Sequence, residues 1–187
     1  MERLQSLSAM PISDLSGLPA IAAEVMRLQP ETVMDLGVGC GMYGVACRQV
    51  LDGQYGRVRA DQWQRKINGI DGWDAYRNPT WGVYTNSVEI GDFSQMDISG
   101  YDLVMMIDSL EHLEPERGAA FLEGLVQKNR HLIISVPTAD SSTQGEPHGN
   151  AYECHRTQYR GPEFDKYSPT ILHQGYCRVM SIKGRLA

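Results

Sequence analysis

The sequence predicts a doubly wound α/β fold, a mostly parallel sheet of about six or seven strands with helices on both faces. Three observations predict it. Apolar segments of strand length alternate with amphipathic segments of helix length. The strand segments are apolar throughout, as in sheets covered on both sides. They also end at glycine, aspartate or proline (Gly37, Asp71, Asp92, Asp108 and Pro137). Open sheets of this class bind ligands beyond the carboxyl ends of their strands.

Each element follows in order. In "SGLPAIAAEVMRLQP", Ser16 is the expected helix cap and Pro19 suits the first turn. Leu18, Ile21, Ala22, Val25 and Leu28 share one face, and Pro30 ends the run. "TVMDL" is a buried strand entering a glycine-rich loop, and Met42 to Val50 is a helix. "KINGI" is a second strand ending at Asp71. "WGVYTNSVEI", rich in β-branched and aromatic residues, is a third. "YDLVMMI" is a fourth. In "PERGAAFLEGLVQKNR", Pro115 opens a helix, and Ala119, Leu122, Leu125 and Val126 form its apolar stripe. Lys128 and Arg130 suit its C-terminal dipole. "HLIISV" is a fifth strand. A Gly/Ser/Pro-rich loop runs from Thr138 to about Asn150. "PEFDKYSPTILHQ" reads as a weak helix and "YCRVMSIKG" as a last strand. One strand after the loop gives a six-stranded sheet with a far edge open or covered by a partner, such as a second copy.

The 187 residues fit one domain, 1–187, with 1–30 as an N-terminal helical segment and 138–160 as a substrate-side loop. The net charge of −6 argues against a broad nucleic-acid footprint, which needs a basic face. The beginning of the chain lacks the apolar core of a leader, and no run is long enough to span a bilayer. These features suggest the cytoplasm and no membrane partner. Cys40, Cys47, Cys154 and Cys177 form no C-x-x-C pair, which fits free thiols in a reducing compartment. Cys154-His155 has no second pair at zinc-ligand spacing, so no metal is expected.

"DLGVGCGMYG", Asp35 to Gly44, can be parsed two ways. Gly39, Gly41 and Gly44 spell the G-x-G-x-x-G of a dinucleotide site. Asp35, Gly37, Gly39 and Gly41 spell D-x-G-x-G-x-G. The first parse needs an acid roughly 20 residues later, and Asp71 lies about thirty residues on. An acid at position 35 would repel a pyrophosphate and attract a cationic ligand.

"VMDLGVGCGMYG" resembles motif I of the class I S-adenosylmethionine-dependent methyltransferases, which have a Rossmann-like sheet. "INGIDGW", "IGDF", "YDLVMMIDSLEHL" and "LIISVP" resemble the family's later motifs in the right order. "GNAYECHRTQYRGPEF" resembles a segment of its bacterial and phage members. The resemblance runs from about Thr32 to the end. It implies S-adenosylmethionine as cofactor. Gly37, Gly39 and Gly41 would form the turn beneath it, and Asp35 would hold its methionine end. Asp71 would accept from both ribose hydroxyls, a bidentate role suited to a carboxylate. Asp92 would accept from the adenine amine and Phe93 would line the base. Asp108 and Ser109 would lie near the methionine portion.

The resemblance also implies O- or N-methylation of a small-molecule, sugar or peptide acceptor. Methyl transfer needs a general base only if the acceptor must lose a proton. His112, His148 and His155 are candidates. His112 lies beside the cofactor loop. His155 sits in "ECHR", in a loop able to close over the cleft. Amino-methylating nucleic-acid enzymes carry N/D-P-P-Y/F/W after strand four, where this chain has Asp108-Ser-Leu-Glu. "NPTW", at 78–81, follows strand two instead. Pro137 precedes Thr138, not the cysteine of cytosine-C5 enzymes. Tyr152 and Tyr159 could pack on a ring. Two other readings stay open: an inactive cofactor-binding module that regulates or scaffolds a partner, and a nicotinamide-dependent oxidoreductase.

Overall fold

The structure is a computed structural model that describes residues 11, 13–138 and 143–186. The first ten residues of the expected N-terminal segment and 139–142 of the expected substrate-side loop lie outside them. Among the described residues, β1 (Thr32–Leu36), β2 (Lys66–Asp71), β3 (Glu89–Ile90), β4 (Leu103–Ile107) and β5 (His131–Pro137) are parallel. β6 (Thr170–Gln174) and β7 (Cys177–Lys183) form an antiparallel hairpin, and β7 pairs with β5. The order is β3-β2-β1-β4-β5-β7-β6. It reverses direction between β1 and β4, and the crevice at such a switch point is where these sheets take ligands.

Strand side chains alternate between two cores, as the pleat requires. Val33, Leu103, Met105 and Ile133 pack with α1 (Leu18–Leu28) and α2 (Met42–Leu51). Met34, Val104, Met106 and Ile134 pack on the other face with Leu122, Leu125 and Val126 of α3 (Pro115–Lys128). Both faces are therefore covered, as the apolar strands imply.

Three expectations change. Ser16 does not cap α1. Asp14 caps a 3-10 turn, Leu15–Gly17, by accepting from the Ser16 amide, and that turn leads into the helix. "WGVYTNSVEI" is mostly not a strand. Asn78 caps a 3-10 helix over Pro79–Val83, and only Glu89–Ile90 pairs with β2. "PEFDKYSPTILHQ" is not one helix. A 3-10 helix, Pro162–Tyr167, ends at Ser168 in the left-handed region, and Pro169 forbids its continuation. The rest is β6, so His173 lies in a strand and the chain supplies the seventh strand itself.

Candidate active site

A cavity of about 910 Å³ opens beyond the carboxyl ends of the parallel strands. That is within the range of small-molecule and cofactor sites. Its floor is the turn between β1 and α2. Gly37, Gly39 and Gly41 have φ of 83°, 52° and 79°. Such angles strain any side chain, and a Cβ on Gly37 would stand 2.9 Å from that of Ser109. The Ser109 hydroxyl donates to the Leu36 carbonyl at 2.9 Å, tying the turn after β4 to the end of β1.

The loop's own amides are mostly consumed. Those of Gly37 and Val38 donate to the Ile70 carbonyl, and that of Gly41 to the Val38 carbonyl. The Gly39 amide donates to the Asp71 carboxylate at 2.7 Å, whose other oxygen accepts from the Trp73 amide at 2.8 Å. Asp71 thus bridges the two turns and lines the cavity with lone pairs to spare. Burial raises its carboxyl above the ordinary range, and the two amides oppose that rise. Tyr152 lies over Gly72 beside it.

Asp92 caps a 3-10 turn, Phe93–Gln95, and accepts from the Ser94 amide and hydroxyl. It also pairs with Arg117 at 2.8 Å. Burial raises its carboxyl, but Ser94 and Arg117 outweigh burial and hold it below the usual carboxylate value. Phe93 lines the cavity and packs on Phe121. Asp108, at φ 49°, accepts from the Ser135 hydroxyl at 2.6 Å and from the Asp14 amide at 3.1 Å. The second bond brings the segment before α1 over this end of the cavity.

Two expected cofactor residues stand outside the lining. Asp35 shares a strand face with Val33, toward α1 and α2. It is 2% exposed and accepts from the Tyr84 hydroxyl at 2.6 Å. The Tyr84 ring packs where Gly44 and Gly69 lack side chains, so two glycines make room for this contact. Burial lifts the Asp35 carboxyl to about 7, with the Tyr84 bond opposing and the charge of Asp71 adding. Gly41 faces Thr80 and Trp81. Those two residues hold the glycine loop from behind: the Trp81 indole donates to the Gly39 carbonyl at 2.8 Å, and the Thr80 hydroxyl to that of Cys40. "NPTW" is therefore a buttress of the loop. Its position after strand two, as a capped 3-10 turn, was the available signal.

Polar side chains converge at the far end. His112 ends a 3-10 turn after β4, Leu110–His112, and its ring stands 5.0 Å from that of His155. Its nitrogens lie 3.3 Å from the Cys154 carbonyl and 3.2 Å from the Asp108 carbonyl. Burial lowers its basicity; the charge of Glu153 opposes this and nearby His155 adds to it. Glu111, which the sequence does not single out as a site residue, is 2% exposed and lines the cavity. Burial pushes its carboxyl well above the usual range, with Asp108 adding. Its carbonyl accepts from the Arg156 and Thr157 amides at 2.9 and 3.0 Å, clamping the segment that carries His155. His148 does not line the cavity; it sits at φ 57° in a turn at Pro147–Gly149. All four cysteines are free thiols.

No protein-family model matches the chain, and no curated protein matches it significantly. Solved structures do. The N-terminal domain of EvdMO1, solved with S-adenosylhomocysteine and D-fucose, superposes with a TM-score of 0.61 at 14% identity. The match covers 90% of this chain and 82% of that one. A Burkholderia thailandensis 1,6-didemethyltoxoflavin-N1-methyltransferase, with bound 1,6-didemethyltoxoflavin and S-adenosylhomocysteine, gives 0.60 at 14% identity, covering 91% and 79%. The methyltransferase domain of bacterial CtHen1-CN gives 0.58 at 16%, covering 90% and 98%. The chain has the class I methyltransferase fold. Identities this low establish the fold alone. In this methyltransferase fold the glycine loop, Asp71, Asp92 and Asp108 all stand at the ends of the parallel strands, as the sequence predicts. Among the described residues, no helix is long and apolar enough to cross a membrane.

Proposed function

We propose that the protein is an S-adenosylmethionine-dependent methyltransferase, acting on oxygen or nitrogen of a small-molecule, sugar or peptide acceptor. The observation that carries this reading is the Asp71 carboxylate on the glycine loop. A pyrophosphate needs the loop's amides and no fixed carboxylate beside them. Here the amides of residues 37, 38, 39 and 41 are already donated, one of them to Asp71. A carboxylate acceptor at the end of β2 suits a ribose in either ligand, so the occupied amides carry the distinction. The bound S-adenosylhomocysteine of EvdMO1 and of the toxoflavin enzyme supports the same reading.

In it, Gly37 and Gly39 allow close approach of the nucleoside, Asp71 takes the ribose, and Asp92 and Phe93 flank the base. Asp108 and Ser109 border the methionine portion. Asp35 and Gly41 act from behind the loop. Asp35 anchors Tyr84, which fills the space between α2 and β2. The chain's part in the reaction is alignment of donor and acceptor, since the sulfonium supplies the reactivity. His112 and His155 stand together at the far end of the cavity, where the acceptor would sit.

Radiolabelled S-adenosylmethionine incubated with fractionated cell extract tests the reading. Label should enter an extract component with the wild-type protein and not with Asp71→Ala. Tight binding of the nucleoside without any transfer would favour the inactive module instead.

A further inference from the structure

We propose that Glu111, His112 and His155 hold a divalent first-row transition-metal ion at the acceptor end of the cavity. One ligand atom from each lies within 4.8 Å of the others. Ligands about 2.0–2.2 Å from an ion stand closer together than that. Rotation of the half-buried His155 side chain closes the set.

Glu111 is the anchor. It is 2% exposed, and among the described residues neither carboxylate oxygen has a hydrogen-bond partner. A buried carboxylate in that state is costly. A bound cation would satisfy it. His112 points the same way. Backbone carbonyls lie near both of its nitrogens. A neutral imidazole has one N–H, so one carbonyl faces a lone pair. In the proposed site His112 keeps one carbonyl contact as the outer bond that orients a metal-bound histidine and gives up the other to the ion. The scaffold is already tied together. The Glu111 carbonyl holds the Arg156 and Thr157 amides, and the His155 amide donates to the Gln144 carbonyl at 2.9 Å.

Two imidazole nitrogens and one carboxylate oxygen suit zinc, manganese or iron(II) better than magnesium or calcium. Three protein ligands leave an open position, as in catalytic sites. What that position serves rests on the methyltransferase reading. A hydroxyl acceptor bound there loses its proton to solvent, because the ion lowers its pKa. The alkoxide then forms the new C–O bond as the S–C bond of the sulfonium breaks, leaving S-adenosylhomocysteine. An oxygen acceptor is therefore the class that fits.

The test is calorimetric titration of chelator-treated protein with ZnCl₂, MnCl₂ and MgCl₂, with no nucleoside present. One equivalent of zinc or manganese should bind, and magnesium should bind weakly. His155→Ala and Glu111→Gln should each weaken binding by at least about tenfold, since even outer-shell losses reach that. Cys154→Ser should change nothing. Circular dichroism of His155→Ala, a half-buried position, confirms that the variant is folded. The proposal is overturned by no saturable zinc or manganese binding, by equal affinity in His155→Ala, or by loss through Cys154→Ser. None of these outcomes bears on nucleoside binding, so the site and the methyltransferase reading fail separately.

Discussion

One end of the cavity is walled by strand termini; the other is walled by short 3-10 turns that clamp one another. At the first end, Gly37, Asp71 and Asp108 follow β1, β2 and β4, and the parallel ladder fixes where each emerges. Their polar atoms are paired before any ligand arrives, Asp71 with two amides and Asp108 with Ser135 and Asp14. At the second end, Glu111, His112 and His155 are brought together by backbone bonds from the Arg156 and Thr157 amides to the Glu111 carbonyl. There the Glu111 carboxylate has no hydrogen bond among the described residues. The contrast separates two tasks. In the proposed reading the preorganised end binds the nucleoside, and the unsatisfied end takes the ion.

If the strand end is rigid and prepaid in hydrogen bonds, the largest effects of substitution should appear there. The largest concerns Asp35. Its folded carboxyl titrates near 7 against an ordinary 3.8, so the folded state holds a proton the unfolded state lacks between those values. Stability from this group is therefore present at low pH and lost as pH rises from about 4 to about 7. The loss is up to about 4 kcal/mol at 1.36 kcal/mol per unit. Asp35→Asn keeps an acceptor for Tyr84 and removes the titration. Its melting temperature relative to wild type should rise from pH 5 to pH 8. A difference constant with pH would show that Asp35 is not the buried acid described.

Next is Asp71→Ala, which should weaken S-adenosylmethionine by about 1.5–3 kcal/mol, the range for hydrogen bonds to a charged group. Unchanged affinity in a calorimetric titration would remove Asp71 from the ribose. Gly37→Ala should destabilise by about 1–3 kcal/mol, from left-handed strain and the Ser109 contact together. Gly56→Ala has a similar φ of 76° and open space around it, so urea denaturation should show a smaller loss there. Equal losses would mean that Ser109 simply moves aside. Gly124→Ala, inside α3 with nothing near its Cβ, should instead stabilise by about 0.5–1 kcal/mol. The smallest effect is expected across the divide. His155→Ala should leave S-adenosylhomocysteine affinity within about twofold, below the roughly 1.4 kcal/mol that makes a tenfold change. A large loss would join the two ends into one site.

The same divide explains what the sequence makes legible. Asp71 and Asp108 can be found because each closes a buried strand, a local signal that the fold converts directly into position, whereas Asp92 follows only the short, exposed β3. The hairpin strand β6 is hidden by "PEFDKY" before it, whose helical turn is real but stops at Ser168 and Pro169. β3 is overstated because aromatic and β-branched residues at 81–85 serve another purpose, Trp81 and Tyr84 packing against the glycine loop and Asp35. Asp35 is legible as an acid in the loop motif but not as a buried one. Its exclusion depends on strand phase and on Gly44 and Gly69, which admit the Tyr84 ring. The electrostatic objection to a pyrophosphate survives, carried by Asp71 in place of Asp35. Glu111 and His155 are 44 positions apart in sequence. No local pattern announces a pair that only backbone clamping between loops creates.

The central claim is that the strand-end wall is built for a nucleoside with a ribose-binding carboxylate. Calorimetric titration of the wild-type protein with S-adenosylhomocysteine and NADH, side by side, tests it most directly. Saturable binding of S-adenosylhomocysteine and none of NADH is the predicted result. Binding of NADH alone would contradict it, and would mean that the glycine loop, with Asp71 beside it, accommodates a pyrophosphate after all.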